Sequence, residues 1–268
     1  MTAQHRELLV RALRALRRST LGWGIGIVVF AGITVAFWPS LEESDALASF
    51  SGMSDGLLEA FGAQNIATPA GYLDGQMFAL MLPLLLSGMA IAMVTALTSG
   101  DEDAGRLELL HALPVSRRSI WLGRFAAVVI MVALTAAATS ILMALSLRPF
   151  SLDEVSAAQI TVATFACAVL GVFHAAVGFA IGGSGGSRGT SVGLTVLVLM
   201  AGYIASFVLP IAPALEGARK VSPWYWALGS QPVTDGVQAP WFLLLVAATV
   251  VLVAVGAIAV DRRDIRSA

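Results

Sequence analysis

The stretch QMFALMLPLLLSGMAIAMVTALT, residues Gln76 to Thr98, decides the fold class of this chain. It contains no charged residue. At 1.5 Å per residue a helix of this length is about 34 Å long, which is enough to cross a hydrocarbon core of about 30 Å. Backbone exposed to lipid must satisfy its own hydrogen bonds, as an α-helix does. The stretch therefore predicts a transmembrane helix.

Five further apolar runs have comparable length. They predict spans at residues 20–38, 120–147, 159–181, 190–210 and 240–260, in addition to 76–98. Composition agrees, since 57% of the residues are hydrophobic and 12% are charged, whereas about a quarter are charged in soluble domains. No small-residue cleavage site follows the first run, so we interpret it as a retained span rather than a signal peptide. The predicted fold class is an all-α integral membrane protein with six transmembrane helices.

Residues 1–19 predict an amphipathic helix ahead of the first span. At 100° per residue its arginines fall on one arc and its four leucines on the opposite arc, with Val10 as an exception. These are Arg6, Arg11, Arg14, Arg17 and Arg18, against Leu8, Leu9, Leu13 and Leu16. This pattern is typical of a helix lying in the membrane interface. The alternative is a basic juxtamembrane tail with no defined position.

Basic residues set the orientation of the spans. If the spans alternate, all but three of the 16 Lys and Arg residues fall on one side, which we predict to be cytoplasmic; the exceptions are Arg148, Arg219 and Lys220. Both termini, including the tail 261–268, are then inside the cell. On the outside, the aromatic residues at 224–226 predict an interfacial belt or a short helix at headgroup level.

The connection TSGDEDAGRLELLHALPVSRRSIWLGR, Thr98 to Arg124, carries the strongest functional signal. Ser99 followed by Glu102 predicts a capping box that starts a helix, Pro114 ends that helix, and Ser116 caps the next one. Leucines at three-residue spacing would form one apolar stripe: Leu107, Leu110 and Leu113. A stripe beside charged residues favours docking into a groove of a soluble partner. A plain charged interfacial loop is the alternative.

This connection resembles that of the membrane subunit of type 2 ATP-binding-cassette transporters, the exporter class for drugs, antibiotics, lipids and polysaccharides. The resemblance is carried by Glu102, by GRLELLHALPVSRR at 105–118 and by Gly123-Arg124. Two further stretches support it, SPWYWALGSQPVTDG at 222–236 and DRRDI at 261–265. In the order of its predicted elements, a basic interfacial helix followed by six spans with both ends inside, the resemblance covers the whole chain.

The resemblance implies that residues 99–117 form a coupling helix seated in a cleft of a separate ATPase subunit, and that residues 1–19 form an elbow helix. The implied coupling residues are Glu102, Gly105, Arg106, Leu107, Glu108, Leu110, Leu113, Pro114, Arg117 and Arg118. Two soluble ATPase subunits would bind ATP and Mg, while this chain binds no cofactor. A second six-span permease, identical or similar, would complete the pathway in the bacterial plasma (inner) membrane, in contact with lipids and without nucleic acid. Some relatives carry twelve spans in one chain, which leaves the identity of the other half open.

Several chemical classes are disfavoured. The sequence has no GxxxxGK[ST] phosphate loop; the run Gly182 to Ser191 lacks the lysine and predicts a flexible cytoplasmic turn. The chain itself is therefore not predicted to be an ATPase. Its single cysteine, Cys167, excludes an internal disulfide. The three histidines, His5, His111 and His174, predict no metal cluster.

Two features of the spans predict roles in transport or packing. The methionines of the second span would suit an apolar substrate path, because thioethers adapt to varied ligands, with ordinary helix packing as the alternative; they are Met77, Met81, Met89 and Met93. His174 in the fourth span is either a proton or ligand site or a neutral histidine bonded between helices. Four glycines of the first span predict close helix contacts; they are Gly22, Gly24, Gly26 and Gly32.

The function predicted from these features is the permease subunit of an ATP-driven exporter that moves a hydrophobic or amphipathic compound outward, such as a drug, an antibiotic or a lipid-like molecule. One alternative is a secondary transporter driven by an ion gradient, which would predict charged residues deep in several spans. A maturation or lipid-handling permease of the same class is another. An intramembrane enzyme would need paired carboxylates or a nucleophile and base at membrane depth.

Overall fold

The computed structural model describes residues 3–44, 65–105, 116–229 and 231–262. Within these ranges all regular structure is helical and no strand occurs. Six of the described helices are long and apolar enough to cross a membrane, which confirms the predicted fold class. They are α1 (Ala3–Glu42), α2 (Pro69–Asp103), α3 (Arg117–Ser146), α4 (Ala157–Gly183), α5 (Arg188–Ile211) and α7 (Ala239–Arg262); the short helix α6 (Pro223–Leu228) lies between the last two.

Helix α1 joins the N-terminal amphipathic segment to the first span. Its 40 residues correspond to about 60 Å of helix, roughly twice the hydrocarbon thickness. The segment before residue 20 is helical, but no helix end marks a boundary at residues 19 and 20. Leu9, Leu13 and Leu16 pack on the hydrophobic core, whereas the five arginines are exposed. The apolar side of this segment is therefore covered by protein.

Helices α2 and α4 form the centre of the bundle. In their apolar stretches 67% and 72% of the residues are buried inside the protein, against 22% to 39% in the other four spans. The outer helices turn apolar side chains away from the protein, as expected for surfaces that face lipid. On α1 these side chains recur every four residues, at Leu21, Ile25, Val29, Ile33 and Phe37.

Glycines bring the central helices close to their neighbours. A Cβ added at Gly171 of α4 would lie 3.1 Å from the carbonyl oxygen of Leu86 in α2. A Cβ added at Gly183 of α4 would lie 2.5 Å from the carbonyl oxygen of Gly256 in α7. Close backbone approach of this kind stabilises helix association in lipid, where hydrophobic burial supplies little driving force.

The glycines of α1 behave differently from the prediction. A Cβ added at Gly32 would lie 3.4 Å from Leu142, and one added at Gly24 would lie 3.7 Å from Thr135. Both glycines therefore lie at helix contacts. At Gly22 and Gly26 it would meet nothing within 4 Å. The predicted close contact is therefore wrong for these two residues. They face open space because α1 lies at the edge of the bundle.

Two spans contain a π turn near the same end of the bundle. In α2 it covers Asp74–Phe78, and in α5 it covers Ile204–Val208. A π turn interrupts the regular i to i−4 ladder and is frequent at functional sites. Both turns lie next to the segments that connect the spans at this end, which we call the outer end because the sequence predicts it to be extracellular.

The outer end is held together by the carboxylate of Asp74. This group is 1% exposed. It accepts hydrogen bonds from the backbone N–H of Val233 at 2.8 Å and of Thr234 at 3.0 Å, and from the Thr234 hydroxyl at 2.8 Å. Gln159 at the start of α4 donates to the carbonyl oxygen of Val233 at 3.0 Å. The loop after α6 is thereby fixed to the outer ends of α2 and α4.

Helix α6 packs on the carbonyl groups that precede the π turn of α5. The Ser222 hydroxyl donates to the carbonyl oxygen of Gly202 at 2.6 Å, and the indole N–H of Trp224 donates to that of Leu199 at 3.1 Å. The predicted short helix at the aromatic residues is present. Trp224 is fully buried in the protein, so its ring supports α5 instead of forming a belt.

Candidate coupling site at the arginine-rich end

The opposite end of the bundle, which we call the arginine-rich end, is where the Thr98 to Arg124 connection leaves α2 and returns in α3. Arg11 of α1, Asp101 of α2 and Arg124 of α3 line one small cavity there. Arg188, the first residue of α5, lies beside Gly100 of α2. Four helices from distant parts of the chain therefore meet at the base of this connection.

A buried ion pair joins α2 to α3. Arg124 Nη2 lies 2.8 Å from Asp101 Oδ2, with 10% and 15% of the two side chains exposed. Arg124 Nη1 also donates to the carbonyl oxygen of Leu97, near the end of α2. The guanidinium thus neutralises a buried carboxylate and occupies a carbonyl at a helix end, where cations are favoured. The pair fixes the points at which the connection leaves and returns.

A second carboxylate joins α2 to α5. Asp103 Oδ2 accepts a hydrogen bond of 2.8 Å from the backbone N–H of Arg188. This N–H is one of the donors that a helix start leaves without an intrahelical partner. Ser187 satisfies another through the N–H of Thr190 at 3.2 Å. Within the run at 182–191 only residues 184–187 therefore form a turn between α4 and α5, and Asp103 of α2 caps the start of α5.

The capping box predicted at Ser99 is wrong. Thr98, with φ −107° and ψ −98°, precedes the last helical turns of α2, and no side-chain cap is formed there. Ser99 follows as the first residue of these turns, and its hydroxyl donates to the carbonyl oxygen of Thr95 at 3.4 Å. Ser116, by contrast, caps α3 as predicted, since its hydroxyl accepts from the N–H of Ser119 at 3.3 Å.

The described residues cover only the two ends of the helix predicted at 99–117. Ser99–Asp103 is the end of α2. Gly105 follows with φ +69°, a left-handed conformation that favours glycine and ends helices. Arg117 already belongs to α3. Residues 106–115, which contain most of the predicted coupling stretch, lie outside the described residues, and their two flanks belong to the ends of α2 and α3.

The predicted coupling residues divide into two groups. Glu102 is 5% exposed at the end of α2, while Arg117 and Arg118 begin α3, half-buried and exposed respectively. Arg106, Leu107, Glu108, Leu110, Leu113 and Pro114 lie outside the described residues. The described members stand at the two ends of the connection.

The residues considered for a substrate path lie mainly in the core. Met77, Met89 and Met93 are at most 1% exposed, and Met81 is half-buried. This burial supports the packing alternative for the first three. His174 is fully buried, with Nδ1 3.0 Å from the Ser87 hydroxyl of α2. It therefore bonds between helices. Within the described ranges, no group of three His, Cys, Asp or Glu residues could hold a metal ion.

Two grooves flank α1. The groove between α1 and α2 encloses about 650 Å³ and contains Gly22, Trp23, Gly26 and Phe30. The groove between α1 and α3, which we call the α1–α3 groove, encloses about 350 Å³. Its lining includes Gly24, Thr135, Ala138, Leu21, Ile25 and Leu134. Both are almost entirely apolar and lie along transmembrane helices.

Residues 9–260 match the family described as the C-terminal domain of the multidrug efflux system permease Rv1217c. The chain belongs to this permease family. No curated protein matches it. Family membership covers nearly all of the six-span bundle and agrees with the resemblance to an exporter permease. The permease is thus a multi-pass membrane protein of a multidrug efflux family.

Sequence reasoning missed the contacts that organise both ends of the permease. In the sequence, Asp74, Asp101 and Asp103 stand out only as acidic residues next to an apolar run. Their partners are distant in sequence, at Arg124, Arg188 and the loop at 233–234. The one available signal was the position of each aspartate at the edge of an apolar run.

Proposed function

We propose that this permease is the membrane subunit of an ATP-driven exporter that moves hydrophobic or amphipathic compounds outward. It couples to a separate ATPase subunit through the segment between Gly105 and Ser116, the middle of the helix predicted at 99–117. The observation that carries the proposal is the way both flanks of this segment are tied to the bundle, by Asp101 to Arg124 and by Asp103 to the start of α5. A force on the segment would reach α2, α3 and α5 together.

The assembly proposed is two ATPase subunits, which bind ATP and Mg, and a second six-span permease, identical or similar, in the bacterial inner membrane. In the resembling family the second and fifth spans line the contact between the two permeases. Here α2 is mostly buried in its own bundle, whereas α5 exposes apolar side chains at Leu194, Leu197, Ile204 and Val208. We therefore expect α5 to supply most of the contact.

A pull-down from native membranes tests the coupling. Wild-type protein should retain a soluble ATPase in mild detergent, and the variant Leu110→Asp/Leu113→Asp should lose it, because charge in the stripe prevents docking in an apolar groove. A matched control carries Leu57→Asp/Leu58→Asp in the first predicted outside segment and should retain the ATPase. Failure to recover any ATPase would refute ATP-driven coupling and favour an ion-gradient mechanism.

Cross-linking tests the second permease. Cys167 is fully buried and should not react. Leu197→Cys, which replaces a side chain 63% exposed on α5, should give a disulfide-linked dimer in membranes if the partner is identical. Leu145→Cys, at a side chain 73% exposed on α3, is the control. Equal cross-linking at both positions would contradict a contact through α5.

A further inference from the structure

Three arginines of α1, which we call the arginine cluster, are neutralised by no carboxylate of the described ranges. They are Arg14, Arg17 and Arg18, whose spacings of three and four residues make them neighbours on one side of the helix. All three are exposed, and none pairs with an acidic side chain within those ranges. Arg11, by contrast, lies 2.6 Å from Glu7. Like charges at this spacing destabilise a helix, so the cluster favours a bound anion.

The arginine cluster lies on the side of α1 that carries its lipid-facing side chains. The helix is continuous over Ala3–Glu42, so directions around its axis carry over from the arginines to the span. At about 100° per residue, Arg14, Ile25 and Arg18 lie about 20°, 40° and 60° from Leu21 in the same direction. Leu21 and Ile25 are 53% and 63% exposed. The leucines on the opposite side pack on the protein core, so the cluster faces outward, toward the lipid.

The cluster also lies at the depth of the lipid headgroups. From Leu21 to Leu41 the helix rises about 30 Å, the thickness of the hydrocarbon core. Arg18 and Arg14 lie about 5 Å and about 10 Å beyond Leu21, toward the arginine-rich end. The headgroup layer on each side of the core is about 5–8 Å thick, and long arginine side chains extend toward it. The guanidinium groups therefore reach the phosphates of the leaflet at this end.

The α1–α3 groove begins where the arginine cluster ends. Helix α1 lines it from Thr20 to Val29, a rise of about 14 Å, which is close to the hydrocarbon depth of one leaflet. Its walls are apolar, and it opens to the lipid between Leu21 and Leu134, which are 53% and 58% exposed. An apolar groove one leaflet long with cations at its headgroup end matches a phospholipid, whose acyl chain is apolar and whose phosphate is anionic.

We propose that the arginine cluster binds the phosphate of an anionic phospholipid whose acyl chain lies in the α1–α3 groove. Guanidinium groups suit this role because they bind phosphate oxygens through paired, charge-assisted hydrogen bonds. A second copy of the permease does not match this surface, since a two-fold contact here would bring two arginine clusters together. A soluble protein would have to enter the headgroup layer to reach both parts of the site. The site does not depend on ATP-driven coupling.

Native mass spectrometry of the purified permease, titrated with lipid in detergent, tests this site. Phosphatidylglycerol is anionic, and phosphatidylcholine with the same acyl chains has no net charge. We expect one saturable phosphatidylglycerol site, half-occupied at a concentration about tenfold lower than that for phosphatidylcholine. The triple variant Arg14→Gln/Arg17→Gln/Arg18→Gln should lose this preference, because each arginine near an anionic headgroup contributes a factor of about five. Its thermal stability should not fall, because the side chains are exposed and of like charge.

A matched triple variant controls for net charge. Arg6→Gln/Arg117→Gln/Arg118→Gln removes the same charge at the same end of the bundle, away from the groove, and should keep the preference for phosphatidylglycerol. Equal loss in both triple variants would indicate general attraction to positive charge and would overturn the proposal. Inorganic phosphate in large excess carries the charge without the chain and should not displace the lipid. Displacement by phosphate would indicate an adventitious ion only, which would also overturn it.

A pair of single variants tests the groove itself. Ala138 is exposed and lines the groove from α3, so Ala138→Phe should fill it and weaken the binding of both lipids. Ala247→Phe, at an exposed position of α7, is the control and should bind both lipids as the wild type does. Unchanged binding in Ala138→Phe would show that the phosphate is held without the groove, and the proposed site would then be wrong. No ATPase or ATP is present, so failure here is distinct from failure of ATP-driven coupling.

Discussion

The ion pair at the arginine-rich end supports a quantitative prediction. Replacing Arg124 by methionine keeps an unbranched chain in place and removes the guanidinium. Two unit charges 2.8 Å apart attract by about 6 kcal/mol at an effective dielectric constant of 20. The cost of taking both charges out of water offsets most of this attraction, so the net contribution of the intact pair is small.

Removing one partner is more costly than removing both. In Arg124→Met the Asp101 carboxylate remains buried, with 15% of its side chain exposed, and loses its cation. We expect the free energy of unfolding to fall by about 3–5 kcal/mol. In the double variant Arg124→Met/Asp101→Leu no charge is left in the pair, and most of the loss should be regained.

Unfolding in mixed micelles with increasing SDS, followed by far-ultraviolet circular dichroism, measures these differences. Arg118→Met removes an exposed arginine six positions before Arg124 and should change stability by less than about 1 kcal/mol. The single variant Asp101→Leu completes the comparison. If the stability losses of Arg124→Met and Asp101→Leu add up in the double variant, Arg124 and Asp101 are not coupled, and the argument from the buried pair is refuted.

Three other contacts give further predictions, two of them from the same unfolding measurement. Asp103→Ala removes the acceptor at the start of α5 and should cost about 1 kcal/mol, with Asp103→Asn losing less. Asp74→Ala leaves the buried N–H groups of the 233–234 loop without an acceptor and should cost about 3 kcal/mol, whereas Thr234→Val removes one of the three bonds and should cost about a third of that. Gly256→Val should abolish assembly of a monodisperse protein in size-exclusion chromatography, because even a Cβ at this position would lie 2.6 Å from the ring of Phe179.

Each of these has a contradicting result. Equal losses in Asp103→Ala and Asp103→Asn would show that the cap depends on charge and not on the hydrogen bond. A stable Asp74→Ala protein would mean that the outer loop is held by other contacts. Gly193 offers a control for Gly256, since an added Cβ there meets nothing within 4 Å; Gly193→Val should therefore purify normally.

The six spans were predictable because lipid imposes length and apolarity on each of them. The residues at which each span begins and ends were less predictable. The second span was predicted at 76–98, but α2 covers Pro69–Asp103. The additional turns carry Asp74, Asp101 and Asp103, whose charges end an apolar run although their partners keep them within the helix. Hydropathy records the charge of a residue and not the partner that neutralises it.

Hydropathy also does not separate lipid-facing from protein-facing apolar residues. Met77 and Met89 are fully buried in α2, while Ile25 and Val29 of α1 are 63% and 52% exposed, yet all four occur in similar apolar runs. Whether a helix lies at the centre or at the edge of the bundle depends on its contacts with helices that are distant in sequence. The start of α3 was predictable from its capping serine, Ser116, whereas the attachment of the connection to α5 was not.

The π turns of α2 and α5 have a consequence for the history of this family. A π turn holds one residue more than the α turn that it replaces, and each added residue rotates the following side chains by about 100°. Relatives without these turns should therefore align with a single-residue gap within 74–78 or 204–208. Asp74 opens the first turn, so losing one of the other residues of that turn would also rotate its carboxylate, the acceptor of the outer-loop hydrogen bonds, away from the loop. Insertions and deletions here would act as discrete rotations of the helix end rather than as changes in its length.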